Sequence, residues 1–480
     1  MVGWKQAGAA ALLCCTMLTG CQLGTPGGDK SGETLKKLDK DEKASIKVMY
    51  YDKSSFFQQY GNLFMAKYPN IEVQVVSLSS LYSDGGQDPR KAFQKLLDEE
   101  QPDVLLYSNP DEFQTAAEEG KLLELDSVIQ QDKFDIDNLL ASVTATIRAK
   151  GGGKLYGLSP TFYSQALFYN RDLFEKHGVP LPTNKMTWEE VLQLAKRFPT
   201  GGADNERVYG LGMTNSGPAA TYYFVNNIAA TNGMSFVDVD KQQVTVQTDG
   251  WKKVLEMTVD AYRSKSIMTE DPMKFDPNQP MTISDFALRN PFVAGKAAMM
   301  IGSTYTLTEL ERAKESVKNV TPVNWDLVTA PVDPQNREVT NSISVSNLFA
   351  VNAQSPNKRA AWEFIKYISG EEMARLMANI DQGAMSSRTA FVKERDGRSL
   401  EPFYMLKMNE NSLYKDMEKL PQNFYMQFSQ LAGTEIQAAI DGKKTVDEAL
   451  KTVQEQGQLA LTRSIQEQEE KDKNEAGKAK

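Results

Sequence analysis

The sequence predicts an α/β fold spread over more than one domain-sized unit. Strand-like runs alternate with helix-like runs along most of the chain, the order expected where sheets are layered with helices. Its 480 residues are enough for two or three such units. Past the N-terminal stretch no run of about 18 consecutive apolar residues occurs, and the body is expected to be water-soluble. Hydrophobic residues at 41% and charged residues at 24% are ordinary for a globular chain. The formal net charge of −9 argues against a nucleic-acid or anionic-membrane surface.

From the N-terminus, Ala7 to Leu18 (AGAAALLCCTML) is apolar and preceded by one positive side chain, Lys5. It falls short of the roughly 20 residues that span a bilayer and has the length and position of a signal-peptide core. Behind it stands Leu18-Thr19-Gly20-Cys21, which resembles the bacterial lipobox. That resemblance implies a signal peptide over 1–20, with Cys21 lipidated (acylated, as with palmitate) and becoming the mature N-terminus. A plain signal peptide with an incidental cysteine is the alternative. Two acyl chains give stable anchoring where one is marginal. Of three cysteines, Cys14 and Cys15 lie in the part to be removed, so Cys21 would remain alone. No disulfide, thiolate nucleophile or cysteine metal site is then expected. Residues 21–44 read as the lipidated cysteine and a solvated, flexible tether. At the other end, 466–480 lacks large apolar residues and reads as a polar tail, a fraying helix end or disordered.

Ordered structure is expected from Ser45. Ile46 to Tyr51 is a short apolar run, Ser54 to Lys67 is amphipathic, Pro69 breaks it, and Ile71 to Leu78 alternates as a strand. Such a β-α-β unit favours a parallel pair with a right-handed crossover. Pro89 to Glu100 reads as helix, Pro102 to Tyr107 as a buried strand, and Asp111 to Gly120 as a helix stopped by glycine. Gly151-Gly152-Gly153 is a turn before a strand at Lys154 to Leu158, and a strand at Gln165 to Asn170 leads into the helix Arg171 to His177. Thr187-Trp188-Glu189-Glu190 has the spacing of a capping box. Further strands are expected at Val208–Met213, Val244–Val246, Ala297–Ile301, Trp325–Ala330 and Leu348–Val351. Long helices are expected at Gly250–Ser264, Lys358–Ser369, Glu371–Asn379 and Val446–Leu461. Trp188, Trp251, Trp325 and Trp362 sit inside these patterns and read as core, while Trp4 goes with the signal peptide.

Several segments, in this order and spacing, resemble the family 1 extracellular solute-binding proteins of ABC importers, the maltose-binding type. They are YPNIEV from Tyr68, Pro102-Asp103-Val104 with the following helix ending EEGKLLELD, and GKLYGLSPTFYSQALFYNRDLFEKHGVPLP running into the Thr187 box. After these come FVAGKAAM from Phe292, Ser355-Pro356-Asn357-Lys358 with AAWEFIKYIS, and DGKKTVDEAL from Asp441. The match covers Ser45 to about Leu461. The resemblance implies a type II periplasmic-binding-protein-like fold, two α/β lobes joined by a multi-crossing hinge. Carried onto this chain, lobe 1 is 45–160 plus 296–367 and lobe 2 is 164–291 plus 371–461. The crossings fall near Pro160–Tyr163, Phe292–Gly295 and Ile368–Gly370.

It also implies a small-molecule ligand between the lobes, most simply a mono- or oligosaccharide. Sugars need flat aromatic platforms beside a few hydrogen-bonding groups. Tyr107 follows a strand where the maltose-binding type places a stacking aromatic, and Tyr222 and Tyr305 fall at two further such positions. Core or rim packing is the plain alternative for each. Gln165 occupies a hinge position where the family often carries a polar contact. Asp52, Lys53 and Asp111 are the charged candidates, with solvated loop charges as the alternative. Tyr51, Asn109, Asn341 and Ser342 are weaker candidates by loop position. The maltose-binding type has a cleft-facing tryptophan near the C-terminus. Here the region holds Phe424, Tyr425 and Phe428 and no tryptophan, which speaks against a malto-oligosaccharide.

Enzyme chemistry finds little support. His177 is the only histidine and is placed at a helix C-terminus, where a partly cationic imidazole is favoured. Neither G-x-S-x-G, a P-loop nor H-E-x-x-H occurs. Asp238-Val239-Asp240 lacks an EF-hand's glycine at loop position six, where Gln243 stands. The 63 Asp and Glu residues single out no glycosidase pair, which leaves a glycoside hydrolase as the remote alternative. No catalytic residue, cofactor or metal is expected. The expected partners are a solute, an ABC permease and, through Cys21, the membrane; the chain is expected to be a monomer. The same fold serving a sensor or protein-interaction lipoprotein is the nearer alternative. Location on the outer face of a one-membrane, Gram-positive cell fits a lipid anchor.

Overall fold

A computed structural model describes residues 34–39, 41–79, 81, 89–201, 207–214, 217–268, 288–316, 321–345, 347–378, 383–409 and 417–478. The signal peptide, Cys21 and most of the tether lie outside the described residues. The tether's last part is not free: Leu35 is 6% exposed, its N–H bonds Gln131 Oε1 at 3.0 Å, and Gln131 Nε2 returns a bond to its carbonyl. An apolar leucine in a polar segment is enough to dock it.

The first strands are β1 (Ala44–Tyr50), β2 (Ile71–Ser77), β3 (Val104–Tyr107) and β4 (Gly157–Leu158). Next come β5 (Thr161–Asn170), β6 (Tyr209–Leu211), the short pair β7 (Val237–Asp238) and β8 (Gln243–Val244), β9 (Ala297–Ser303) and β10 (Trp325–Thr329). They are followed by β11 (Val339–Thr340), β12 (Ile343–Ser344), β13 (Leu348–Val351) and β14 (Met385–Ser386).

Two sheets result. The first has the order β2-β1-β3-β13-β4. β1 runs parallel to β2 and β3, as the β-α-β reading expects, and β13 returns antiparallel to β3 and β4. All four residues of β3 are buried, because helices cover both faces of the sheet. The second has the order β10-β5-β9-β6. Its long central strand β5 pairs antiparallel with β10 and β9, and β6 runs parallel to β9.

β5 also forms the joint. Its first residues pair with two short strands, Ser164 with Ile343 and Tyr163 with Ser344 on β12, then Phe162 with Met385 and Thr161 with Ser386 on β14. Three chain segments therefore pass between the sheets side by side. The expected crossing at Pro160–Tyr163 lies here. The other two do not. Phe292–Gly295 is a tight turn into β9, closed by Lys296 N–H on the Pro291 carbonyl at 2.8 Å with Gly295 at φ 70°. Ile368–Gly370 only bends one helix (Lys358–Ile368) into the next (Glu371–Met377), and Met373 remains in the first core.

The lobe boundaries shift accordingly. β9 and β10, assigned to lobe 1 by sequence, hydrogen-bond β5 in the second sheet, and the chain rejoins the first sheet only at Leu348. After residue 371 the chain returns along the joint: Phe403 packs on Phe168 of β5, and its carbonyl accepts from Ser164 Oγ, before the second core resumes at Leu420. The apolar run AAMMIGS identifies a strand; which neighbour it pairs with is a tertiary matter that periodicity does not encode.

One buried cluster gathers Ile46, Val104, Phe349 and Trp362, and the other gathers Trp188, Trp251, Val254 and Phe428. All four expected core tryptophans are buried. β5 alternates between the clusters, with Ala166 and Phe168 in the first and Leu167 and Tyr169 in the second. The capping box forms as expected: Glu190 N–H bonds Thr187 Oγ1 at 3.2 Å and Thr187 N–H bonds Glu190 Oε2 at 2.7 Å. The last helix runs Val446–Lys478, so the polar end continues as helix to residue 478. It is fastened to lobe 2 by two glutamines: Gln458 accepts from Val244 N–H at 2.9 Å and Gln454 from Val246 N–H at 3.0 Å.

Candidate functional site

A cleft of about 210 Å³ opens beyond the carboxyl end of β6, the end at which open α/β sheets hold ligands. One wall is the chain from Leu211 to Thr214, together with Met300 and Ile301 of β9. Gly212 allows this approach: a Cβ there would stand 2.7 Å from Ala297 Cβ, and its N–H bonds the Met299 carbonyl at 2.8 Å. Gln165, just past the joint on β5, forms the side nearest the other lobe. Its N–H bonds the Ser342 carbonyl at 3.1 Å, fixing the strand there.

The helix Pro218–Thr231 supplies the remaining wall. It buries Tyr222, Val225, Asn226 and Ala229 and turns Tyr223 and Asn227, one turn apart, towards solvent. Tyr223 is 49% exposed and lines the cleft with Asn227. The Tyr425 ring stands 6.3 Å from that of Tyr223, tilted by 36°. Trp188 is buried but also lines the cleft; it meets Phe224 edge-on at 5.3 Å, and its Nε1–H bonds Thr231 Oγ1 at 3.2 Å.

Among the sequence candidates, Gln165 lies in this cleft. Tyr305, 39% exposed, begins the helix after β9, two residues past the Ser303 that pairs with Gln165. Tyr51, 37% exposed, follows β1 on the first lobe and donates its hydroxyl to Asn347 Oδ1 at 2.8 Å.

Others are committed elsewhere. Tyr107 is 2% exposed, packed against Phe93 and Phe113, and burial pushes its hydroxyl well above its usual range. Tyr222 is packed against Phe236 and Phe428. Neither presents a ring face, so the core alternative holds for both: β3 is covered on both sides, and Tyr222 is on the inner face of its helix. Asn341 spans from the Ala230 carbonyl to Asn409. Asp111 pairs with Lys150, and Asn109 caps the helix that Asp111 enters. Asp52 caps the helix after β1, accepting from Ser55 N–H at 2.9 Å and Ser55 Oγ at 2.6 Å, and these bonds hold its carboxyl below the usual range. Lys53 is exposed in that helix's first turn.

Tyr223, Asn227 and Thr214 line the cleft without having been sequence candidates, while Trp188, expected as core, is buried in the second core and only borders the cleft. Helical phasing was the available signal, since Tyr223 and Asn227 lie opposite the apolar face of Tyr222, Val225 and Ala229. His177 does sit in the last turn of its helix, but it is not drawn towards the cation: burial, then the charge of Lys176, pushes its imidazole below its usual value. Among the described residues no group of three or more His, Cys, Asp or Glu could hold a metal ion. None of their helices is long and apolar enough to cross a membrane.

Residues 51–375 match the family model described as bacterial extracellular solute-binding protein. A protein of Brucella abortus (strain 2308) named as a binding protein is 24% identical over 229 residues, 45% of this chain and 47% of that one. The chain thus matches about half the length of that relative. The sn-glycerol-3-phosphate-binding periplasmic protein of Rhizobium meliloti (strain 1021) is 22% identical over 377 residues, 73% of this chain and 78% of that one. Among solved structures, an ABC substrate-binding protein of Listeria monocytogenes in complex with cycloalternan superposes with a TM-score of 0.54 at 22% identity. That superposition covers 88% of this chain and 100% of the other.

Proposed function

The chain belongs to the bacterial extracellular solute-binding protein family, and on that premise we propose that it captures a mono- or oligosaccharide between its lobes and delivers it to an ABC permease. The observation that carries this reading is the joint. Three chain segments cross here, the start of β5 (Thr161–Ser164) paired with the short strands β12 and β14, so few φ/ψ changes are needed to swing one sheet against the other. The cleft opens next to this joint, and a solute that touches both lobes favours the closed form by its differential affinity.

The cleft walls suit the task. Tyr223 offers a ring face, and Gln165, Thr214 and Asn227 offer neutral polar groups, the combination a sugar's apolar faces and hydroxyl edges require. Tyr305 and Tyr51 are partly exposed aromatics. No catalytic role is proposed, in keeping with a family of binding proteins. Cys21 behind the apolar N-terminal stretch supports anchoring at the outer face of the membrane. A tether then raises the effective concentration near the permease without any added contact. We take the chain to act as a monomer.

Thermal unfolding of the full chain across mono- and oligosaccharides tests this. A ligand that binds only the folded state adds about 2.7 kcal/mol at a hundredfold excess over Kd, and at least one saccharide is expected to raise the midpoint. A panel without any shift would count against the reading.

A further inference from the structure

Two short strands outside both large sheets link the lobes at a second place. β11 (Val339–Thr340) runs parallel to Lys407–Met408. Lys407 N–H bonds the Glu338 carbonyl at 2.9 Å, and Asn409 N–H bonds the Thr340 carbonyl at 3.0 Å. Each strand of this ribbon is fastened to a different lobe. Just before β11, Arg337 holds Glu190 with Nη1 at 3.1 Å and Nη2 at 2.9 Å. Glu190 is in the first turn of the helix Trp188–Ala195, which packs in the second core. On the other strand Met408 is buried, and its Sδ accepts from Thr146 Oγ1 at 3.2 Å. Thr146 belongs to the helix Ala141–Lys150, which is paired through Arg148 and Lys150 with Asp126 and Asp111 of the first lobe.

From this ribbon one side chain reaches the helix that walls the cleft. Asn341 Nδ2 donates to the Ala230 carbonyl at 2.8 Å, while its Oδ1 accepts from Asn409 Nδ2 at 2.7 Å. Ala230 is in the last turn of the helix Pro218–Thr231, where carbonyls have no partner within the helix. Gly233 N–H bonds the same carbonyl at 3.0 Å. An amide suits this place because one end donates and the other accepts; a carboxylate would set an acceptor against the carbonyl. The next residue holds the opposite wall, since the Ser342 carbonyl receives Gln165 N–H at 3.1 Å. Two successive residues of the crossing segment therefore fix the helix bearing Tyr223 and Asn227 and the strand bearing Gln165. Neither Asn341 nor Asn409 lines the cleft.

We infer, resting on the solute-binding reading above, that Asn341 and Asn409 are positioning residues. They tie the first lobe, through Met408 and Thr146, to the end of the cleft helix. Rotation about the joint then carries the wall of Tyr223 and Asn227 with it.

Amide hydrogen exchange on the full chain without any solute is the first arm of the test, with Asn409→Ala, Asn341→Ala and the double variant. Each single variant should speed exchange over residues 228–234 by about three- to tenfold, the net worth of one hydrogen bond. The double variant should exchange no faster than the singles, because the two side chains act as one link. Calorimetric titration with D-glucose, D-mannitol and maltose is the second arm. Both singles should weaken whichever sugar binds by about threefold or more, a change that a purely structural role would not produce. Exchange over 228–234 that responds to Asn341→Ala but not to Asn409→Ala overturns the tie and leaves Asn341 as a helix cap. A lowered melting midpoint with sugar affinity unchanged overturns it too. Binding of none of the three sugars by the wild type counts against the solute-binding reading, and the exchange arm alone then decides the tie.

Discussion

Asp132→Asn should destabilise the first lobe in a way that depends on pH. Asp132 ends the helix Asp126–Asp132, and its side chain is only 3% exposed. Its carboxylate receives Arg359 Nη1 at 3.1 Å and Nη2 at 2.7 Å, Trp362 Nε1 at 3.0 Å and Lys366 Nζ at 2.9 Å. All three donors come from the helix Lys358–Ile368. Burial alone would raise this carboxyl, but the bonds from Arg359, Lys366 and Trp362 outweigh it and bring it to about 2 from 3.8. A fall of roughly two units corresponds to about 2–3 kcal/mol of preference for the charged form. A folded-state pKa below the unfolded value contributes stability that is present above the unfolded pKa, near 4, and lost as pH falls towards 2. The cost of Asp132→Asn at pH 7 is that amount, about 2–3 kcal/mol, because Arg359 and Lys366 keep a second carboxylate partner in Glu363. Urea unfolding followed from pH 7 down to about pH 2 reads it out, with solute binding as a control that should not change. A gap between wild type and variant that stays constant over that range, or is absent at pH 7, would refute the reasoning.

Three further outcomes are expected. Glu309 accepts from Asn290 Nδ2 at 2.7 Å, and burial raises its carboxyl above the usual range. It therefore disfavours the fold as pH rises past its unfolded value, and Glu309→Gln should raise the melting midpoint at pH 7 but not at pH 4. Gly212→Ala forces a methyl against Ala297 Cβ at 2.7 Å and Pro291 Cγ at 3.0 Å; a loss of about 1–3 kcal/mol and weaker solute binding should appear together in unfolding and titration. Cys21→Ser should move the protein from the membrane to the soluble fraction on cell fractionation, and persistent membrane attachment would remove the lipid anchor from the account.

The elements themselves were largely legible. Hydrophobic period gave β1, β2 and β3 with their crossover helices, and Thr187 and Glu190 announced their helix start by spacing alone. These are local signals. The partner of β9 was not legible, because AAMMIGS would suit either sheet and only β5, bonded to it from Tyr169 to Gln165, decides. The second and third crossings went astray for the same reason: a turn at Phe292–Gly295 and a bend at Ser369 look like crossings when the strands around them are unplaced. Gln165, a candidate from its hinge position in the resembled family, lines the cleft just past the joint. Tyr222 was chosen over Tyr223, an error of a single residue, yet one residue on a helix is a rotation of about 100° and exchanges core for cleft. Tyr107 was chosen from its place after a strand. It is buried because helices cover both faces of that sheet, a fact of the layers and not of the strand.

Small-angle X-ray scattering of the full chain, free and saturated with whichever of D-glucose, D-mannitol or maltose gives a calorimetric signal, bears most directly on lobes that close on a solute. Rotation about the β5, β12 and β14 joint predicts a smaller radius of gyration in the bound form. Bound saccharide with an unchanged radius of gyration would contradict it.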